Sequence, residues 1–359
     1  MVLVGPGVPA GMIPHSRPTL SDADRQRVVE VLTSGWIVQG QEVEAFEHEL
    51  AAFVGRQGGV AVSSGSAALH LSLLALGIGP GAEVVIPTYV CDAVHHAVVH
   101  AGGAAVLADA DPRSASLDLL DVERRLTART KAIILPHAFG LAADVAAFTA
   151  LGVPVIEDCA QAIGALDGGR PVGSRGVLAV FSFYATKMLT TGEGGMVASD
   201  DARLLARVRD LREYDERTDL SARFNFKLTD LQAALGRAQL ARLPAFIERR
   251  RAIAATYRRA LAAAPCELPP DAAGGRHVYH RFVVAPDPPL APIISRLAAL
   301  GVQGRRPVFR PLHRALGGGA YPAADRLWDR SLSVPCFPSM TDAEVERVAE
   351  AVVLTLGGR

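Results

Sequence analysis

Lys187 closes the run Ser182-Phe183-Tyr184-Ala185-Thr186-Lys187, an apolar stretch that turns into the glycine-rich Gly192-Glu193-Gly194-Gly195. A lysine at the mouth of a buried strand is desolvated, and desolvation favours the neutral amine that attack on an aldehyde requires. Two other segments carry matching chemistry. Val153-Pro154-Val155-Ile156-Glu157-Asp158-Cys159-Ala160-Gln161 reads as a buried parallel strand that delivers Asp158 at its carboxyl end, the edge where open α/β sheets bind ligands. An aspartate there can pair with a protonated pyridine nitrogen, and Gln161 can reach a ring hydroxyl. The small residues Ser63-Ser64-Gly65-Ser66 precede a helical pattern, so the amides of Gly65 and Ser66 can approach a phosphate closely, helped by the helix dipole.

Each signal alone has a plainer reading: a surface lysine, a helix N-cap, an ordinary Ser-Gly turn. Their order along the chain is what adds specificity. Phosphate turn, then acid and amide, then a lysine before glycines together point to pyridoxal 5′-phosphate as the cofactor.

At this point the chain resembles the sugar aminotransferases of the DegT/DnrJ/EryC1/StrS group, within the fold-type I pyridoxal-phosphate enzymes. The resemblance runs from about Ile13 to about Val348. It rests on Ser34-Gly35-Trp36 with Gly40, Val43, Phe46 and Phe53-Val54-Gly55, on Leu76-Gly77-Ile78-Gly79-Pro80-Gly81-Ala82-Glu83-Val84, on Phe224-Asn225-Phe226-Lys227-Leu228-Thr229-Asp230-Leu231-Gln232, and on Ser333-Val334-Pro335-Cys336-Phe337-Pro338-Ser339-Met340-Thr341. It implies that Lys187 bonds the cofactor aldehyde and shuttles the proton, that Asp158 partners the pyridinium, and that Gln161 lies near the ring hydroxyl. It further implies that Ser182 binds the phosphate beside Gly65 and Ser66, and that Asn225 reaches the phosphate from a neighbouring subunit, so that a homodimer forms the complete site. Trp36 and His313 fall near the substrate by the same resemblance. In one place the chain departs from the family: the aromatic residue that stacks on the ring stands four positions after a proline, and after Pro87 that slot holds Cys91. Either the thiol packs over the ring or Tyr89 reaches in, and the thiol is the favoured reading. Dehydratase-like members replace the lysine with histidine, whereas this chain keeps Lys187, which favours amino transfer.

The 359 residues are half apolar and carry 37 basic and 37 acidic side chains, so neither nucleic acid nor an anionic membrane is an expected partner. Arg249-Arg250-Arg251 with Arg258-Arg259 reads as a solvated helix face, while Arg305-Arg306 with Arg310 lies in a proline-interrupted loop and suits a diphosphate. Four cysteines stand far apart, with no disulfide or zinc spacing. Met1–Met12 has no basic start, no apolar run spans a bilayer, and a cytoplasmic location is expected. His95, His96 and His100 have a helical spacing but no nearby acid to complete a metal site, so no metal is expected. His137 follows a buried strand and either lines the site or serves the structure.

Short apolar strands at Glu83–Pro87, Ala105–Ala108, Ala132–Leu135, Pro154–Glu157, Ala179–Phe183 and Met196–Ala198 alternate with helical stretches. The expected fold is α/β: a three-layer fold-type I aminotransferase with a mostly parallel sheet covered by helices on both faces, plus a smaller C-terminal α/β domain. Family resemblance makes the strand after Lys187 antiparallel. Residues 1–240 form the expected large cofactor-binding domain with its N-terminal segment, and 241–359 the small one. A helical pattern from Thr229 to Ala263, interrupted near Pro244, joins them. The expected activity is ping-pong transfer of an amino group from glutamate or glutamine to the ketone of a nucleotide-linked sugar. A cyclitol or other small ketone, a dehydration or epimerisation on the same cofactor, and a non-catalytic regulator on this fold are the alternatives.

Overall fold

The computed structural model describes residues 11–272, 274–287 and 289–357; the expectation about a leader rests chiefly on residues 1–10, which lie outside them. Seven strands make the central sheet: β1 (Gly58–Val62), β2 (Glu83–Pro87), β3 (Ala104–Ala108), β4 (Thr130–Pro136), β5 (Val155–Asp158) and, after a short hairpin of β6 (Leu166–Asp167) and β7 (Arg170–Pro171), β8 (Leu178–Ser182) and β9 (Gly195–Ser199). Their order is β1-β9-β8-β5-β4-β2-β3. Strands β3, β2, β4, β5 and β8 run parallel, and β9 is antiparallel to both its neighbours, as expected for the strand after Lys187.

The parallel strands are near-continuous apolar runs because both faces are covered. Val84, Ile86, Ile134, Ile156 and Val180 pack on one side with Ala68, Leu71, Val94 and Val98 of helices Gly65–Ala75 and Asp92–His100. On the other side Ala179, Phe181 and Met196 meet Val43, Phe46 and Leu50 of helix Gln41–Phe53 and Leu243 and Ile247 of helix Asp230–Ala260. A second, antiparallel sheet of β10 (Cys266–Glu267), β11 (Phe282–Pro286) and β12 (Leu332–Val334) has its own core, where Phe282, Val284 and Val334 pack with Leu297, Phe337, Val348 and Ile13.

Three local expectations need correction. Helix Asp230–Ala260 is continuous through Pro244. The proline removes the bond to the Leu240 carbonyl, but Leu240, Leu243, Phe246 and Ile247 are all buried around it, and that packing holds the axis together. Arg250 is not on a solvated face: it is 3% exposed and donates to the carbonyls of Tyr279, His280 and Cys336, because the C-terminal layer folds over this part of the helix. Strand β1 was absent from the expected set, since its two leading glycines, Gly58 and Gly59, dilute the apolar signal.

Candidate active site

Strands β5 and β8 are paired with Asp158 opposite Val180, so their carboxyl ends open on the same edge of the sheet. The chain leaving β8 forms a compact loop. Phe183 N–H donates to the Gly194 carbonyl at 2.9 Å, Thr191 N–H returns to the Phe183 carbonyl at 2.9 Å, and Lys187 N–H bonds the Tyr184 carbonyl at 2.8 Å. Phe183, Met188 and Leu189 are buried and anchor this loop, leaving Lys187 partly exposed at its crown. Burial lowers the Lys187 ammonium from the ordinary lysine range; Cys91 and Asp158 oppose that shift, and Arg281 adds to it. Asp158 is buried, and burial raises its carboxyl despite the Ala160 N–H donating at 3.0 Å and the opposing charge of Lys187. Asp158 and the Lys187 loop thus leave neighbouring strands at the same edge of the sheet.

A small-residue cradle lies at the exit of β1, on the same sheet edge and separated from β8 by β9. Ser64 caps helix Gly65–Ala75 by accepting from the Ala67 N–H at 3.1 Å, and as the first two helical residues Gly65 and Ser66 have amides without an intrahelical acceptor. A Cβ on Gly65 would come 2.7 Å from the Ser182 Cβ and 3.1 Å from its Oγ, so only glycine lets the Ser182 hydroxyl sit against this helix start. Gly195 is under the same constraint, since its Cβ would collide with the Ser64 carbonyl. Asn225 is exposed between Phe224 and Phe226, whose rings stack at 4.9 Å, and the Phe226 carbonyl accepts from Ser63 N–H at 2.7 Å. The Asn225 segment is thus tied to the turn that carries Gly65.

Cys91 begins helix Asp92–His100 and is exposed on the wall of a cavity of about 400 Å³ that it shares with Tyr89, Phe139, Gln161, Phe309 and Arg310. The surroundings of its thiol raise its pKa by desolvation, moderated by Lys187, with Asp158 acting the other way. Tyr89 is buried, and its hydroxyl is under the influence of Ser331, Arg306 and Arg281 instead. The thiol, and not the Tyr89 hydroxyl, has Lys187 and Asp158 for electrostatic neighbours. Gln161 accepts from the Phe139 N–H at 3.0 Å through Oε1, which leaves its amide NH2 for another partner; Phe139 holds a left-handed φ of 58°.

An amine, a buried carboxylate and a glycine-dependent phosphate cradle on adjoining strand ends are the contacts that a phosphorylated pyridine aldehyde requires. The sequence pattern of the DegT/DnrJ/EryC1/StrS aminotransferase family matches residues 18–353. The chain belongs to this family. It is 36% identical to the UDP-N-acetyl-3-dehydro-alpha-D-glucosamine 3-aminotransferase of Acidithiobacillus ferrooxidans, over 96% of each chain. It is 35% identical to the GDP-perosamine synthase of Caulobacter vibrioides, over 93% of this chain and 96% of that one. Among solved structures, a putative sugar aminotransferase, Spr1654 from Streptococcus pneumoniae in its PLP form, superposes with a TM-score of 0.91 at 25% identity, covering 96% of this chain and 99% of the other. The family expected from the motifs and the three-layer fold are both correct, and the chain is an aminotransferase.

The remaining expected residues of the aminotransferase fall in several places. His313 is buried at the exit of β2: its Nδ1 lies 2.8 Å from the Thr88 hydroxyl, and its Nε2 lies 3.2 Å from Asp325. It braces the segment that leads into Tyr89 and Cys91. Trp36 is 60% exposed and lines a different cavity with Gly40 and Asp230. Arg305 and Arg306 line a cavity of about 560 Å³ beside Tyr184 and Thr186, while Arg310 lines the Cys91 cavity. His96 and His100 stack with ring centroids 6.2 Å apart. Among the described residues, ligand-type atoms gather instead at His137, Glu157 and Cys159. There the His137 Nδ1 accepts from Ala143 N–H at 2.9 Å and its Nε2 bonds Glu157 at 3.0 Å, so both nitrogens are already engaged in holding the β4 and β5 exits together. Arg281 and the Glu157 network had no sequence signal: a charged residue inside an apolar run announces neither its partners nor its cavity.

Proposed function

We propose that this aminotransferase moves an amino group from glutamate or glutamine to the ketone of a nucleotide-linked sugar, with pyridoxal 5′-phosphate as cofactor and ping-pong order. When bound, the cofactor supplies an electron sink for the carbon that loses its proton. Lys187 would hold the cofactor through its aldehyde and, once the donor amine has taken its place, would move the proton at the donor α-carbon with Nζ; burial lowers its ammonium toward the neutral amine that both roles need. Asp158 would pair with the ring nitrogen and keep it protonated. Gly65, Ser66 and the Ser182 hydroxyl would hold the phosphate, Gln161 would bind the ring hydroxyl, and the Cys91 thiol would cover a ring face. Asn225 of a second copy completes the phosphate site, which makes the working unit a homodimer. The reading includes a large unit of residues 1–240 and a small one of 241–359, and a cytoplasmic setting that keeps Cys91 reduced.

The observation that carries this reading is that Asp158 and the Lys187 loop leave the paired strands β5 and β8 at one sheet edge, where Gly65 packs against Ser182. The names of the similar GDP- and UDP-sugar enzymes support the acceptor class. The test is a screen of UDP- and GDP-linked ketosugars, with cyclitol ketones as controls, in the presence of pyridoxal 5′-phosphate and either donor. Chromatography is expected to show an aminated nucleotide-sugar with an equal yield of the donor's keto acid. Amination of the cyclitol ketones alone would remove the nucleotide-sugar assignment, and absence of any yellow cofactor complex would remove the cofactor.

A further inference from the structure

Arg281 enters β11 and presents its side chain to the cavity of about 560 Å³ that Tyr184, Thr186, Arg305 and Arg306 also line. Thr186 is the residue before Lys187, and Arg281 acts electrostatically on the Lys187 amine. Arginines elsewhere in this chain meet acids: Arg237 pairs with Glu42 and Glu49, and buried Arg212 with Glu47. Among the described residues, no carboxylate forms an ion pair with Arg281 or Arg305. The polar contact of the Arg281 guanidinium is with His15, whose ring nitrogens lie 3.2 Å from Nη1, and its Nε is buried without a partner. His15 brings no charge to the balance, since burial and then Arg281 and Arg305 hold its pKa well below the usual histidine value. Burial and the neighbouring cations Arg305 and Arg250 draw Arg281 down to about 10, still protonated at neutral pH. Arg250 is already engaged with three carbonyls, and Arg306 donates to the Trp328 carbonyl and lies 4.1 Å over its ring.

A desolvated cation of this kind calls for an anion, and the cavity is where one can enter. Its place against Tyr184 and Thr186 of the Lys187 loop selects which anion. The α-carboxylate of an amino acid is one bond from the carbon whose amine displaces Lys187, whereas the diphosphate of a sugar nucleotide is separated from its ketone by the sugar ring. The Tyr184 hydroxyl, also buried and unpartnered, adds a donor on the same side. We propose that Arg281, backed by Arg305, anchors the α-carboxylate of the amino donor. The proposal rests on the aminotransferase reading above and adds the residue that selects the donor.

The test uses cofactor-loaded full-length protein titrated with L-glutamate in the absence of any acceptor, followed by the cofactor absorbance, with UDP binding measured separately by calorimetry. Arg281→Gln is expected to raise the glutamate dissociation constant by about 10- to 100-fold, the range for a lost charge-assisted pair, while UDP affinity stays within about twofold. Arg281→Lys keeps the charge without the fork and should fall between the two; Arg305→Gln should raise the glutamate constant by only about threefold, a remote charge at effective high dielectric. Unchanged glutamate binding in Arg281→Gln overturns the proposal. Weakened UDP binding with unchanged glutamate binding also overturns it, and makes the cluster a diphosphate contact. Should Arg281→Gln fail to fold, Arg281→Lys decides the matter by the same two titrations. A wild-type protein that takes up no pyridoxal 5′-phosphate overturns the underlying reading, and this proposal with it.

Discussion

Glu157 and Asp158 are adjacent at the end of β5, yet their carboxylates have opposite surroundings. Glu157 is fully buried and accepts from the N–H groups of Gly173 at 2.7 Å, Arg175 at 2.8 Å and Gly176 at 2.6 Å, as well as from His137 Nε2 at 3.0 Å, with Arg56 at 3.8 Å. Burial alone would raise its pKa, but His137 and the backbone donors pull it down to about 2. Asp158, pointing to the other side of the strand, accepts from the Ala160 N–H and faces the Lys187 amine, and burial wins, so its pKa is raised. One carboxylate has its lone pairs committed to closing the 173–176 turn onto β5. The other retains acceptor capacity for a cationic ring. Saturation by the chain's own donors suits a structural acid, and free acceptor capacity suits the role proposed for Asp158.

The sharpest way to break this contrast is to exchange charge at each position in turn. Asp158→Asn should lower amino transfer by at least about 1,000-fold, roughly 4 kcal/mol of barrier, while the melting temperature moves by less than about 2 °C. A large loss of stability with preserved turnover would reverse the two roles. Glu157→Gln presents an amide N–H to donors that need an acceptor, and should cost on the order of 3 kcal/mol in urea unfolding. The pH dependence follows from its depressed pKa: the stabilisation is complete above the unfolded value of 4.5 and disappears as pH falls through about 2. Wild type should therefore lose on the order of 3 kcal/mol across that interval, and Glu157→Gln should lose distinctly less. Equal acid sensitivity of the two proteins would show that the Glu157 network does not carry the effect.

Two smaller effects refine the functional side. Gly65→Ala introduces a methyl against Ser182, and the displacement should weaken pyridoxal 5′-phosphate binding by about tenfold, near the lower end of the range for overpacking. Fluorescence titration measures it, and unaltered affinity would separate Gly65 from the phosphate. Cys91→Phe restores an aromatic face beside Lys187 and Asp158, and should tighten the cofactor by about fivefold, close to 1 kcal/mol. Weaker binding in that variant would mean that the cavity beside Cys91 is shaped for the smaller side chain.

Asp158, the proposed pyridinium partner, could be placed from the sequence because an apolar run that ends in a carboxylate has few structural solutions. A buried parallel strand puts Asp158 at the ligand edge whatever surrounds it. Ser182 and Asn225 were reachable only through family resemblance, since nothing in their local sequence distinguishes them from other polar residues near apolar ones. Glu157 was invisible for a different reason: its partners Gly173, Arg175 and Gly176 come from a turn whose closure is a tertiary event. The same holds for Arg250, which periodicity assigned to a solvated face because a helical pattern cannot register a second layer folding over it. Pro244 misled through an intrinsic cost that the buried residues around it offset. Arg281 lies nearly a hundred positions from Lys187 in sequence, and the backbone hydrogen bonds from Val278 and Arg281 to the Gly140 and Phe139 carbonyls, beyond β4, tie its segment to the large domain.

The central claim is that Lys187 is the amine that bonds the cofactor. Borohydride reduction of the protein loaded with pyridoxal 5′-phosphate, followed by peptide mass mapping, tests it most directly. The predicted result is a single reduced cofactor adduct on the peptide containing Lys187, lost in Lys187→Ala and retained in Asp158→Asn. An adduct on any other lysine, or an unchanged adduct in Lys187→Ala, contradicts the account.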